Sequence, residues 1–191
     1  TVRRIKTGWI VLGIAIALIL IIVFSVIGTY NSLVNANENI DGKWAQVENN
    51  LQRRADLIPN LVETVKGYAS QEKEIFTAIS EARSKLIGAT GVEETAEANN
   101  ELSGALSRLL ALSESYPELK SNQNFIALQD ELAGTENRIA VARKDYNDAV
   151  QSYNTKIKRF PTNIVAGIFG YEKREYFEAD ESSKEVPKVE F

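Results

Sequence analysis

Residues Trp9–Ile27 read WIVLGIAIALILIIVFSVI, nineteen residues with no charge and a single hydroxyl, Ser25. At 1.5 Å rise per residue a helix of this length reaches roughly 29 Å, about the hydrocarbon thickness of a bilayer. A backbone in lipid must satisfy its own hydrogen bonds, so the stretch predicts a single transmembrane helix over residues 9–29. Trp9 and Tyr30 bracket it as interfacial aromatics do. A cleaved signal peptide has a shorter apolar core followed by small residues at the cut, and SVIGTYN is a poor match, so an uncleaved anchor is expected. Arg3, Arg4 and Lys6 lie in the basic segment 1–8 before it, whereas the first charges beyond it are Glu38 and Asp41. The positive-inside rule then puts the N-terminus in the cytoplasm and the remainder of the chain outside.

About 160 residues follow the anchor, enough for one helical domain with its own core. That part carries 19 basic and 26 acidic residues, net −7. Such a domain repels phosphate backbones, and nucleic acid is not an expected partner. The sequence has no histidine and no cysteine. Missing with them are the commonest general base, the commonest transition-metal ligand, and the Ser-His-Asp and Cys-His nucleophilic arrangements. A di-iron bundle needs Glu-x-x-His pairs. No phosphate-binding glycine loop and no G-x-S-x-G is present. The expectation is a protein without catalytic residues, metal or cofactor. Pairs such as Glu93/Glu94 and Asp180/Glu181 read as solvated surface.

From Tyr30 the apolar pattern is helical: Leu33, Ile40, Trp44, Val47, Leu51 and Ile58, then Leu61, Val65, Tyr68, Ile75, Ile79, Ala82 and Leu86, up to a turn at GATG, residues 88–91. Pro59 interrupts this run. It deletes one helical hydrogen bond and clashes with the preceding turn, so the chain either reverses there or bends within one long helix. The unbroken phase of the stripe favours a bend, and four segments of comparable length favour a reversal. A second helix follows with Leu102, Leu106, Leu109 and Leu112 on one side, broken at Tyr116-Pro117. A long helix then starts at SNQNF and runs to Phe160, with Phe125, Leu128, Leu132, Ile139, Ala142, Tyr146, Ala149, Tyr153 and Phe160 close to a heptad. Pro161 stops it. The tail over 161–191 is first apolar (TNIVAGIFGY) and then charged and extended, with Val186, Val189 and Phe191 as docking side chains.

The runs YNSLV (Tyr30–Val34), RRADLIPNLVETVKGYA (Arg53–Ala69), YPELKSNQNFIALQDELAGTENRIAVARKDYNDAVQSYN (Tyr116–Asn154) and FPTNIVAGIFGYEKREYF (Phe160–Phe177) resemble the LemA family of bacterial membrane proteins. The resemblance implies one N-terminal membrane helix in the bacterial inner membrane and an antiparallel bundle of four helical segments over residues 30–160, an all-α fold. It implies no reaction, and it points to a membrane protease as a partner.

Among polar residues, Arg54 falls on the apolar stripe and needs a carboxylate. Glu136 is the candidate, with Asp56 and Arg143 in the same network. Glu136, Arg143, Asn147 and Asn154 form a ladder at seven-, four- and seven-residue steps beside the stripe of the long helix, read here as a polar layer that fixes register. Ile164, Val165, Ile168, Phe169 and Tyr171 have two readings. If the chain reverses at Pro59, the last helix returns to the bilayer and these residues dip into its surface. If Pro59 only bends a long helix, they lie far from the membrane and pack on the bundle or on a neighbouring subunit. Two functions fit: a membrane-anchored helical scaffold that self-associates or organises envelope proteins, and an adaptor or sensor subunit for a membrane protease or signalling complex.

Overall fold

The computed structural model describes the backbone of residues 2–178 and the side chains from residue 8. Val186, Val189 and Phe191 lie outside the described residues. The described chain is all-helical: α1 (Val2–Lys66), α2 (Lys73–Gly88), α3 (Val92–Ser113), α4 (Pro117–Lys120), α5 (Gln123–Lys158) and α6 (Thr162–Phe169). An extended segment over residues 171–178, here called the strap, follows. The chain divides into two compact units, one of Thr1–Asp41 with Ala149–Arg174 and one of Gly42–Asp148 with Glu175–Phe191. Among the described residues, helix α1 carries the one segment long and apolar enough to cross a membrane, and none of that segment is buried by them.

In the second unit, α1 and α5 are antiparallel. Lys43 pairs with Asp145 at 3.3 Å and Arg53 pairs with Glu131, so numbers rise along one helix as they fall along the other. Helices α2 and α3 are joined by a short turn in which Gly91 takes a positive φ of 83°, a conformation that favours glycine. The core is built from Leu51, Ile58, Leu61 and Val65 on α1, Phe76 and Ile79 on α2, Leu102 and Leu109 on α3, Leu119 on α4, and Phe125, Ile139 and Tyr146 on α5. Asn122 opens α5 by accepting a hydrogen bond from the Phe125 amide at 3.0 Å, which satisfies one orphan donor of the first turn.

The chain does not reverse at Pro59. Helix α1 passes through it and ends at Lys66. The stripe read through Tyr68 into Ile75 is instead broken over residues 67–72, and Tyr68 is exposed. Gly67 weakens the helix at that point, and the amides of Tyr68 and Ala69 both fold back on the Val65 carbonyl at 3.0 and 2.9 Å. Polar side chains then fix the turn. Glu72 accepts the Tyr116 hydroxyl at 3.1 Å, and Asn122 donates to the Tyr68 hydroxyl at 2.8 Å.

Why the helix survives Pro59 is visible one turn back. The proline has no N–H for the carbonyl of Ala55, a residue that is itself buried. Arg83 of α2 supplies the missing donor, its Nε reaching that carbonyl at 2.8 Å. Left alone, a buried carbonyl would cost about 1–3 kcal/mol. Arg83→Met is therefore expected to destabilise the domain by about 1–2 kcal/mol, and by less than half of that in a Pro59→Ala background, where the helix regains its own donor. Urea unfolding of the four proteins in one detergent measures the coupling. Equal losses in both backgrounds would show that Arg83 acts elsewhere.

In the first unit, Leu33 and Ile40 of α1, Val150 and Tyr153 of α5, and Val165 and Ala166 of α6 are buried. Lys156 donates to the Ser32 hydroxyl at 2.8 Å. Phe160, read as the last core position of the long helix, is instead 79% exposed, because α5 ends at Lys158. Thr162–Phe169 forms a helix of its own, closed by Gly170 at φ 72° with the Tyr171 amide returning to the Ala166 carbonyl at 2.9 Å.

Candidate functional site

Arg54 lies on the buried side of α1 at 5% exposure. Its guanidinium is a fixed planar fork and keeps its charge wherever it sits. Three groups meet it. Nη1 reaches Asn99 Oδ1 at 2.5 Å and Glu136 Oε2 at 3.0 Å, and Nη2 donates to Ser103 Oγ at 2.9 Å. Burial pulls the guanidinium pKa down from its ordinary value, and Glu136 opposes that shift. Asn99 and Ser103 stand one turn apart on α3, so one helix face presents both acceptors. Glu136 is half exposed, with 51% of its side chain open to solvent.

Above this cation the helices leave a cleft of about 540 Å³, with Leu61, Leu106, Leu110 and Leu132 on its walls and Arg54 and Glu136 among its polar groups. A half-open apolar cleft with a few fixed polar groups is the general form of a binding site for a small apolar segment. Ser103, Ser107, Gln129 and Asp130 complete the polar lining of the cleft.

The other residues of the sequence-derived network are elsewhere. Asp56 accepts from Gln52 one turn earlier on α1 at 2.9 Å and has an exposed side chain. Arg143 is half-buried and makes no ion pair with Glu136 among the described residues. Asn147 and Asn154 grip the strap. In the first unit, Asn154 Nδ2 donates to the Arg174 carbonyl and Asn154 Oδ1 accepts the Arg174 amide, each at 2.9 Å, while the Tyr153 hydroxyl donates to the Glu172 carbonyl at 2.9 Å. In the second unit, Asn147 Nδ2 donates to the Phe177 carbonyl at 3.0 Å and Asn147 Oδ1 accepts the Phe177 amide at 2.9 Å, while the Tyr146 hydroxyl donates to the Glu175 carbonyl at 2.9 Å. The same Tyr-Asn dyad recurs after seven residues of α5, and its targets recur after three. Seven helical residues advance about 10.5 Å and three extended ones about 10 Å, so the two periods match. Burial pushes the Tyr153 phenol above its ordinary pKa, which keeps the hydroxyl protonated and donating.

The ladder read from α5 therefore splits: Glu136 serves Arg54, and the two asparagines serve the strap. Asn99, Ser103, Phe177 and Arg174 were not anticipated. Arg174 is held to Asn37 at 3.2 Å and to Asp41, all within the first unit. The Tyr-Asn repeat in DYND and SYNT was the available signal for the strap.

Of the apolar residues after Pro161, Val165 is buried, Ile164 and Ile168 are exposed, and Tyr171 is half-buried. Phe169 packs on Tyr30 with ring centroids 4.6 Å apart, and Tyr171 meets the same ring edge-on at 6.2 Å. Tyr30 is three residues beyond Ile27, the end of the apolar run. The expectation that a continuous helix at Pro59 would take these residues far from the anchor is overturned. Within the first unit, Lys156 near the end of α5 meets Ser32, and α6 lies beside Tyr30.

The fold and its sites define a helical domain borne on a helix of membrane-crossing length, with polar groups committed to internal pairing. Residues 43–191 match the model of the LemA family, and the chain belongs to that family. It is similar to the magnetosome protein MamQ 2 of Paramagnetospirillum magneticum, 29% identical over 206 residues covering 93% of this chain and 76% of that protein. It is similar to the magnetosome protein MamQ of Magnetospirillum gryphiswaldense, 28% identical over 203 residues covering 92% and 75%. It is also similar to protein LemA of Metamycoplasma hominis, 27% identical over 147 residues covering 75% and 66%.

Proposed function

We propose that the protein is a non-enzymatic, membrane-anchored helical scaffold that self-associates and organises other envelope proteins. The observation that carries this reading is the apolar segment of α1, which none of the described residues covers. Lipid is the natural cover for it, and Arg3, Arg4 and Lys6 favour a cytoplasmic N-terminus with the helical domain on the far side of the bacterial inner membrane. The absence of histidine and cysteine from the sequence, together with internal pairing of the buried charge, supports a role in holding rather than converting.

Light scattering of the full chain in detergent is expected to give a mass that is a multiple of the monomer's across a wide range of protein concentration. A monomer throughout that range removes self-association. The Arg54 cleft favours a second reading, an adaptor for a membrane protease or signalling complex. That reading expects a monomeric chain that recovers one such complex from native membranes in defined proportion.

A further inference from the structure

We propose that α6 is a foot that lies on the bilayer surface and prefers anionic lipid. The proposal deepens the membrane-anchored reading and rests on it. A short helix in an acidic domain ordinarily buries one apolar side and shows water the other. Helix α6 does not. Val165 and Ala166 face the protein, yet Ile164 and Ile168 on the open side are also apolar, and Ile168 is 71% exposed. Phe160, in the turn between α5 and α6, is apolar too and 79% exposed.

Three observations name lipid as the occupant. The first is position. The Phe169 ring lies 4.6 Å from that of Tyr30, which is one helical turn past the apolar run, so α6 stands at the level where that run leaves the hydrocarbon. The second is charge. Residues 156–174 carry five basic residues and one acidic one, in a part of the chain that is otherwise acidic. Of these, Lys158, Arg159 and Lys173 are exposed. The third is composition: large apolar side chains flanked by cations are the chemistry of helices that lie in the headgroup layer. A second copy of this chain would have to cover an apolar row and a cluster of like charges together, at a level where headgroups already offer both partners.

The chain has no cysteine, so an introduced one labels uniquely. The test uses the full chain in vesicles of phosphatidylcholine with and without phosphatidylglycerol, carrying a solvent-sensitive fluorophore at Ile168→Cys, at Ser25→Cys in the anchor, or at Val141→Cys, an exposed position on α5 in the other unit. The Ile168 label is expected to shift to the blue, to be quenched by shallow spin-labelled lipid, and to lose iodide quenching, more so with phosphatidylglycerol. The Val141 label is expected to remain open to iodide. If the Ser25 label is quenched by lipid while the Ile168 label behaves like the Val141 label, the foot is wrong and the anchor stands. An Ile168 label shielded from both lipid and iodide means that protein covers the row, which also overturns the proposal. A Ser25 label open to iodide removes the anchor and the foot with it.

Discussion

Arg54→Ala is expected to destabilise the helical domain by about 3 kcal/mol, the lower end of what breaking a buried ion pair costs. The change deletes a guanidinium that is almost wholly buried, together with its bonds to Asn99, Ser103 and Glu136. Asn99 is buried and keeps an acceptor with no donor. The alkyl stem of Arg54 is lost as packing as well. Glu136 adds little to the loss, because half of its side chain already faces water and the freed carboxylate hydrates. The same exposure makes the reverse change mild. Glu136→Gln leaves Arg54 its two neutral acceptors and is expected to cost about 1 kcal/mol. Chemical unfolding followed by circular dichroism in a fixed detergent gives both numbers. The asymmetry is the diagnostic feature: equal and small losses would mean that water reaches Arg54 and that the pair is an ordinary surface contact.

How far the sequence spoke for these features depends on the range over which each is decided. The anchor is local: nineteen uncharged residues need no partner to be read. Arg54 is nearly local, since its place on an apolar stripe demands a carboxylate, and Glu136 sits 3.0 Å away. Asn99 and Ser103 escaped because α3 was read by its leucines, and a polar pair one turn apart declares nothing until another helix presents a cation. Pro59 could not be settled from period alone. The deciding group is Arg83, which is far along the chain and reaches the orphaned carbonyl only after α2 has folded back. The turn over residues 67–72 hid behind a stripe that kept its phase by accident. With it failed the link that joined a continuous helix at Pro59 to a large distance between α6 and the anchor. Helix α6 has eight residues, too few for a period, and the strap has none.

Phe177→Ala is expected to release the end of the strap that belongs to the second unit and to cost about 3 kcal/mol. Phe177 is 1% exposed and lies against Trp44 at 5.9 Å, which in turn stacks on Tyr146 at 5.2 Å. Truncation of a buried phenylalanine costs about 3–5 kcal/mol, and the lower end applies because an extended segment that loses its anchor can leave rather than hold a cavity open. Asn147→Ala removes both bonds to the Phe177 backbone while leaving the ring in place, and is expected to cost about 1–2 kcal/mol. The two changes act on one attachment. Once either has freed the segment, the other has little left to remove, so the double variant should lose clearly less than the sum. In a Trp9→Phe background Trp44 is the sole indole, and its emission should move to the red as the strap departs. Cleavage by trypsin after Lys173 and Arg174, which Asn154 holds within the first unit, serves as the control and should not change. Additive losses, with Trp44 emission no redder than in the parent, would mean that this end of the strap stays seated without Phe177.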